Sequence, residues 1–185
     1  MISFIISGMP ASGKTTVAIK VAEKYGMTYL CGGDILKDIA VSKGYKLSGN
    51  DWWDTENGMK FLEERKKSNH YDYEVDNKII KSVEDGGVVV TSYTAPWLSK
   101  KGVKIWLKAS PHNRAKRLAS RDKIDYKEAL KIVKKRDAEN IAIYRKMYGF
   151  IIDKDLSVFN LVLDTDKFSK DDVIEIVCNI SKYFF

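Results

Sequence analysis

The sequence predicts an α/β fold, a parallel β-sheet with helices on both faces. Three observations predict it. Short apolar or β-branched runs recur at Ile2–Ile6, Val88–Val90 and Val103–Leu107, the composition of strands buried on both sides. Amphipathic helical stretches separate these runs, and strands alternating with helices point to a parallel sheet. The first run also stops at a glycine-bearing turn that opens directly into the helix carrying Val17-Ala18-Ile19-Lys20-Val21-Ala22.

That turn, Gly8 to Thr15, has the spacing G-x-x-x-x-G-K-T. Gly8 and Gly13 let backbone N–H groups curl inward around phosphate oxygens, which a Cβ would obstruct. With the positive end of the helix behind them, the amides of Gly8, Met9, Pro10 (which lacks an N–H), Ala11, Ser12, Gly13, Lys14, Thr15 and Thr16 frame an anion site. Lys14 can reach the β- and γ-phosphates of a nucleoside triphosphate, and the Thr15 hydroxyl can hold Mg²⁺. A plain glycine turn is the competing reading. The strand before and the helix after are the context that favours triphosphate binding.

The remaining elements follow in order. The first helix runs from about Gly13 to Tyr25 and breaks at Gly26, and Met27–Leu30 reads as a second strand. It ends at Cys31-Gly32-Gly33-Asp34, where a helix with Ile35, Leu36, Ile39 and Ala40 on one face begins, and Gly44 closes that helix. Tyr45–Asn50 is polar and reads as a loop. Trp52-Trp53 follows, covering a core edge or forming an aromatic wall, with Asp54 or Thr55 as the cap of a helix carrying Met59, Phe61 and Leu62. Another helix spans about Tyr71 to Val83 and ends at Gly86-Gly87 before the strand Val88–Val90. Beyond the strand Val103–Leu107, Ser110-Pro111 is a cap followed by proline at the first helical position. A long charged helix covers Tyr126 to Tyr148, Leu161–Leu163 is the last strand, and Ser169 to Tyr183 forms a closing helix.

Composition narrows the function classes. At 185 residues the chain fits one domain, 1–185, with a sizeable core. No apolar run reaches the about 20 residues that span a bilayer, and Met1 leads straight into a strand, which argues against a membrane anchor or cleaved signal. Cys31 and Cys178 are too few for a disulfide framework and fit a reducing cytoplasm. The net charge of +7 comes from lysines interspersed with acidic residues, so it implies small anionic ligands rather than nucleic acid.

The stretches Gly8–Thr16, Cys31-Gly32-Gly33-Asp34-Ile35, Val75-Asp76, Lys104–Ser110, Arg114-Ala115-Lys116-Arg117, Tyr144–Gly149, Asp155-Leu156-Ser157 and Leu161–Thr165 resemble the nucleoside monophosphate kinase superfamily. They are most similar to its archaeal cytidylate kinase type, over most of the length. The resemblance implies a three-layer P-loop kinase fold with sheet order 2-3-1-4-5. It also implies a helical acceptor-binding region at about 34–85 and a lid at about 120–136. It places Arg117 or Arg121 against adenine and makes Arg121, Lys123 and Arg136 lid cations around the transferring phosphoryl group, each also readable as a helix surface charge. Asp34, Lys37, Tyr93 and Trp97 fall on the acceptor side.

The acceptor half departs from that pattern. Lys37, Tyr93 and Ile143 stand where these kinases usually carry arginines that grip the acceptor phosphate. Each contact through an ionised donor is worth about 1.5–3 kcal/mol, so losing two weakens a CMP clamp. The expectation is an ATP- and Mg²⁺-dependent kinase of a small anionic metabolite, monomer or homodimer. A non-nucleotide acceptor such as mevalonate 3-phosphate is slightly preferred over CMP or dCMP. Asp34 is then either a helix cap or the base for an alcohol. The rival of another class is a nucleotide-binding regulatory ATPase. No Asn-Lys-x-Asp guanine motif supports a GTPase.

Overall fold

A computed structural model describes residues 1–47 and 52–185. Its five strands are β1 (Phe4–Ser7), β2 (Thr28–Cys31), β3 (Val88–Thr91), β4 (Val103–Lys108) and β5 (Leu161–Asp164). All neighbours pair in parallel, in the order β2-β3-β1-β4-β5. The central strands β1 and β3 are buried along their whole length, whereas the edge strand β5 alternates half-buried with exposed residues. The sequence does not carry that contrast, since Leu161-Val162-Leu163 is as continuously apolar as Val88–Val90 and Val162 is exposed only because β5 is the sheet edge.

Strand periodicity divides the core. Phe4, Ile6, Val89, Ile105 and Leu107 point to one face and meet α1 (Lys14–Tyr25) and α8 (Lys170–Ser181) through Val17, Val21, Val173 and Val177. On the opposite face Ile5, Val88 and Val90 meet α2 (Gly32–Ser42), α3 (Glu56–Lys67) and α4 (His70–Asp85) through Leu36, Ala40, Phe61, Val75 and Ile79. Trp106, also on this face, packs with Ile143 and Tyr144 of α7 (Tyr126–Tyr148). The element α6 (Pro111–Asp122) follows β4, and its Ala115 and Leu118 form a small cluster with Ala129 and Val133 of α7.

Several local readings are refined. The helix after β2 starts at Gly32, two residues before Asp34, so Asp34 lies in its first turn and is not its cap. Thr55 caps α3, its hydroxyl accepting from the Gly58 amide at 3.3 Å. Ser110 caps α6 as the sequence suggested, and Ser169 caps α8 in a reciprocal box with Asp172 that was not foreseen. The short helix α5 (Ala95–Leu98) was not foreseen, because four residues carry no periodicity. The loop expected over 45–50 falls partly outside the described residues.

Candidate active site

One end of the site is made by backbone. The Gly8–Gly13 loop leaves β1 and lies against β4. A Cβ on Gly8 would sit 2.5 Å from the Leu107 carbonyl oxygen and 2.6 Å from Ser12 Oγ, so only glycine admits this approach. Gly13 takes φ 97° at the head of α1, whose first turn has neither a capping side chain nor an acidic residue. Its amide donors are therefore left for an anion. Lys14 Nζ donates to the Met9 carbonyl at 3.0 Å and lies 4.8 Å from the Tyr93 ring centre. Thr15 and Thr16 are exposed beside it.

Two α6 arginines fix the loop. Buried Arg114 donates to the Pro10 carbonyl at 3.1 Å and makes a two-pronged pair with Asp137 of α7 at 2.8 and 2.6 Å. Arg117 bridges the Ser12 carbonyl (3.2 Å) and the Thr165 hydroxyl and carbonyl (3.1 and 2.9 Å) just beyond β5. These bonds use the guanidinium edge and leave its faces for stacking. Phe168 and Val173 line the same end of the cavity.

The opposite wall is made of side chains from α2, α3, α4 and α7, and one cavity of about 770 Å³ joins it to the loop. Asp34 and Lys37 sit side by side on α2, paired at 3.0 Å. Arg65 of α3 and Asp72 of α4 form a buried ion pair; Arg65 Nε donates at 3.0 Å and Nη2 donates to both Asp72 and, at 2.9 Å, the Tyr144 hydroxyl. Burial works against the Arg65 charge, but Tyr144 and Asp72 beside it outweigh burial and raise its pKa. Asp76, 6% exposed, accepts from the Thr94 hydroxyl and, at 2.7 Å, from Tyr148. Burial pushes its carboxyl up to about 6 despite those two donors, which lower it. Trp53, 5.6 Å from the Arg65 guanidinium, and Asn140 complete this wall, and Arg121 and Arg136 flank it.

A profile of the cytidylate kinase-like family matches residues 5–167. The chain belongs to the cytidylate kinase-like family. It is 34% identical over 177 residues to the cytidylate kinase of Methanocaldococcus jannaschii, covering 93% of each chain. It is 35% identical over 173 residues to that of Pyrococcus horikoshii, covering 93% of this chain and 84% of the relative. Among solved structures, an uncharacterised Eubacterium ventriosum protein matches with a TM-score of 0.66 at 18% identity over 97% and 98% of the two chains. Shikimate kinase from Acinetobacter baumannii, in complex with shikimate, matches at 0.58 and 15% identity over 99% and 94%. These two structures establish the fold, a P-loop kinase fold. The family establishes a phosphotransferase.

The cavity of this cytidylate kinase-like protein brings together Pro10 to Thr16, Asp34, Lys37, Tyr93, Arg117, Arg121 and Arg136 from the sequence-derived set. Gly8 and Met9 are buried beneath the loop. Trp97 does not line the cavity. It stacks on Phe150 at 4.8 Å and its indole N–H donates to the Asp155 carbonyl, so it belongs to the aromatic core beside Trp106. Of the tryptophan pair, Trp52 is core and Trp53 is cavity wall, so each reading holds for one residue. Ile143 is likewise core, 2% exposed among Met9, Leu62 and Trp106. Sequence reasoning missed Arg65 and Asp72, since a charge on an amphipathic helix reads as solvated until its partner is known, and it quoted Arg114 within a family stretch without assigning it a place. It quoted Val75-Asp76 as a family feature without assigning Asp76 a place.

Proposed function

We propose that this cytidylate kinase-like protein transfers the γ-phosphoryl group of ATP to the phosphate of CMP or dCMP. The observation that carries the reading is a continuous cavity with an anion cradle at one end and a side-chain wall at the other, in a chain whose 34–35% identical relatives are named cytidylate kinases. A mevalonate-type acceptor finds no support in these comparisons, so the nucleotide takes first place over the sequence-based preference.

In this reading the loop amides and Lys14 hold the ATP phosphates, and Arg117 offers a guanidinium face to adenine. An acceptor phosphate oxygen attacks the γ-phosphorus, the bond to the β–γ bridging oxygen breaks, and ADP leaves. Lys14, Arg121 and Arg136 neutralise the charge spread over the transferring oxygens. No cluster of three or more His, Cys, Asp or Glu side chains suited to a metal occurs among the described residues. That fits Mg²⁺, which is held mostly by substrate phosphates and water with one or two protein ligands, here Thr15. The ion would supply further charge neutralisation on the phosphates. The segment 120–136 serves as lid and 34–85 as acceptor region.

A second reading, a phosphorylated alcohol as acceptor, is favoured by one observation: the acceptor wall offers Lys37, itself paired to Asp34, and Tyr93 where the family pattern has arginines. An alcohol must lose a proton, and Asp34, 59% exposed on the cavity rim, is the base for it. An ADP-release screen with CMP, dCMP, UMP, AMP, phosphorylated alcohols and no acceptor decides. Efficient turnover of CMP or dCMP, little altered in kcat by Asp34→Asn, is expected. Turnover of an alcohol alone, abolished by Asp34→Asn, would install the second reading, and acceptor-independent hydrolysis alone would favour a regulatory ATPase.

A further inference from the structure

The sequence left Asp54 and Thr55 as alternative caps of α3. The structure gives the capping to Thr55, and the Asp54 carboxylate goes elsewhere. It ends a 3₁₀ turn, Trp52–Asp54, that is fixed from several sides. Trp52 is buried and its indole N–H donates to the Lys46 carbonyl at 3.0 Å. The Thr55 amide closes back on the Trp52 carbonyl at 3.0 Å. Gly58 lies so close beneath that a Cβ there would be 2.2 Å from the Trp52 carbonyl oxygen.

From this turn, Asp54 accepts from Arg121 Nη2 with one oxygen and from Arg136 Nη1 with the other. The two arginines come from different elements, the last turn of α6 and the body of α7, and both line the cavity. Asp54, with a side chain 5% exposed, does not line it. The carboxylate thus stands behind two guanidiniums that would otherwise repel each other, and offers one oxygen to each. Arg121 is also held by Asp122, through Nε at 2.8 Å and Nη2 at 2.9 Å.

We infer that Asp54 is a positioning residue: it sets Arg121 and Arg136 as a pair whose remaining N–H groups face the γ-phosphoryl group, and so ties the turn before α3 to the α6–α7 hairpin. A guanidinium has five donors, and both arginines line the cavity while bonded to Asp54, so a phosphoryl oxygen there can be met by a donor turned toward the cavity. The inference rests on the kinase reading but not on which acceptor is used.

The test compares ATP and ADP affinity by calorimetry, in the absence of acceptor, for the wild-type protein and Asp54→Asn. A bystander and a positioning residue predict opposite signs. Removing a bystander negative charge near the phosphates tightens ATP more than ADP, because ATP carries the larger charge. Removing the carboxylate that aims both arginines turns an amide N–H₂ toward one of them and loosens contact with the γ-phosphate. The ATP-to-ADP affinity ratio should fall by about fivefold or more, with ADP affinity nearly unchanged. An unchanged or increased ratio overturns the inference alone. A wild-type protein that binds neither nucleotide overturns it together with the kinase reading. Should Asp54→Asn fail to fold, Asp54→Glu keeps the charge and moves it by one methylene. It should still lower the ratio, and an unaltered ratio there is equally fatal.

Discussion

Asp76 gives the most quantitative prediction. Its carboxyl is buried between the hydroxyls of Thr94 and Tyr148, and burial raises its pKa from 3.8 to about 6. Because the folded value exceeds the unfolded one, the native state holds the proton more tightly between about pH 4 and pH 6. Stability from this group is therefore fully present below pH 4 and is lost as pH rises through 6. A tenfold difference in proton affinity is worth about 1.4 kcal/mol, so the complete loss is about 3 kcal/mol. Between pH 4.5 and 7.5 the portion expressed is about 2 kcal/mol. Asp76→Asn keeps the shape, is neutral throughout and lacks this slope. Urea unfolding of both proteins at several pH values isolates the effect, since titrating groups that do not interact with Asp76 cancel in the difference. Any constant cost of the amide moves the whole curve without tilting it. The variant should gain about 2 kcal/mol relative to the wild type between pH 4.5 and 7.5. A flat difference across that window would refute the argument that Asp76 is buried with hydroxyl donors too weak to offset its desolvation.

Two further outcomes concern the loop. Gly8→Ala forces a Cβ to within 2.5 Å of the backbone oxygen of Leu107, an atom in a paired strand that cannot swing aside. The variant should lose about 2–4 kcal/mol in thermal or urea unfolding and most of its ATP affinity. Lys14→Ala removes a half-buried side chain whose contacts include the Met9 carbonyl and the Tyr93 ring. Its melting temperature should stay within a few degrees while turnover falls about a hundredfold or more, as ADP release with Mg²⁺ present would show.

The sheet was legible because each buried parallel strand announces itself locally. Val88-Val89-Val90 needs no partner in view to be read as core, and β3 is buried throughout. The phosphate loop was legible for a related reason, since glycine at Gly8 and Gly13 reports a backbone requirement that few other residues meet. The acceptor wall was much less so. Arg65 and Asp72 come from two helices, and Tyr144, which completes their network, lies 72 residues beyond Asp72. Helical periodicity says which face of α3 turns inward but not that a charge on it has a counter-charge waiting. Trp97 shows the same limit from the other side. Its place after β3 put it near the acceptor, but Phe150, Phe159 and Trp106 claim its ring.

The two ends of the cavity are therefore built under different constraints. The donor cradle is built from amides, so the spacing of its glycines is the fixed requirement, while Met9 beneath it is held by the core around Ile143. The opposite wall is built from side chains on helices, and several of them, Arg65, Asp72 and Tyr144 among them, are buried and bonded to one another, so they hold the helices together as well as line the cavity. Position 143 is held by packing too. Ile143 is 2% exposed among Met9, Leu62 and Trp106, so an arginine introduced there would place a charge in an apolar cluster before it reached any ligand. Tyr93 differs, because it lines the cavity next to Lys14 and lies at the edge of that cluster rather than inside it. Position 143 of α7 is thus fixed by packing, whereas position 93 stands at the cavity surface.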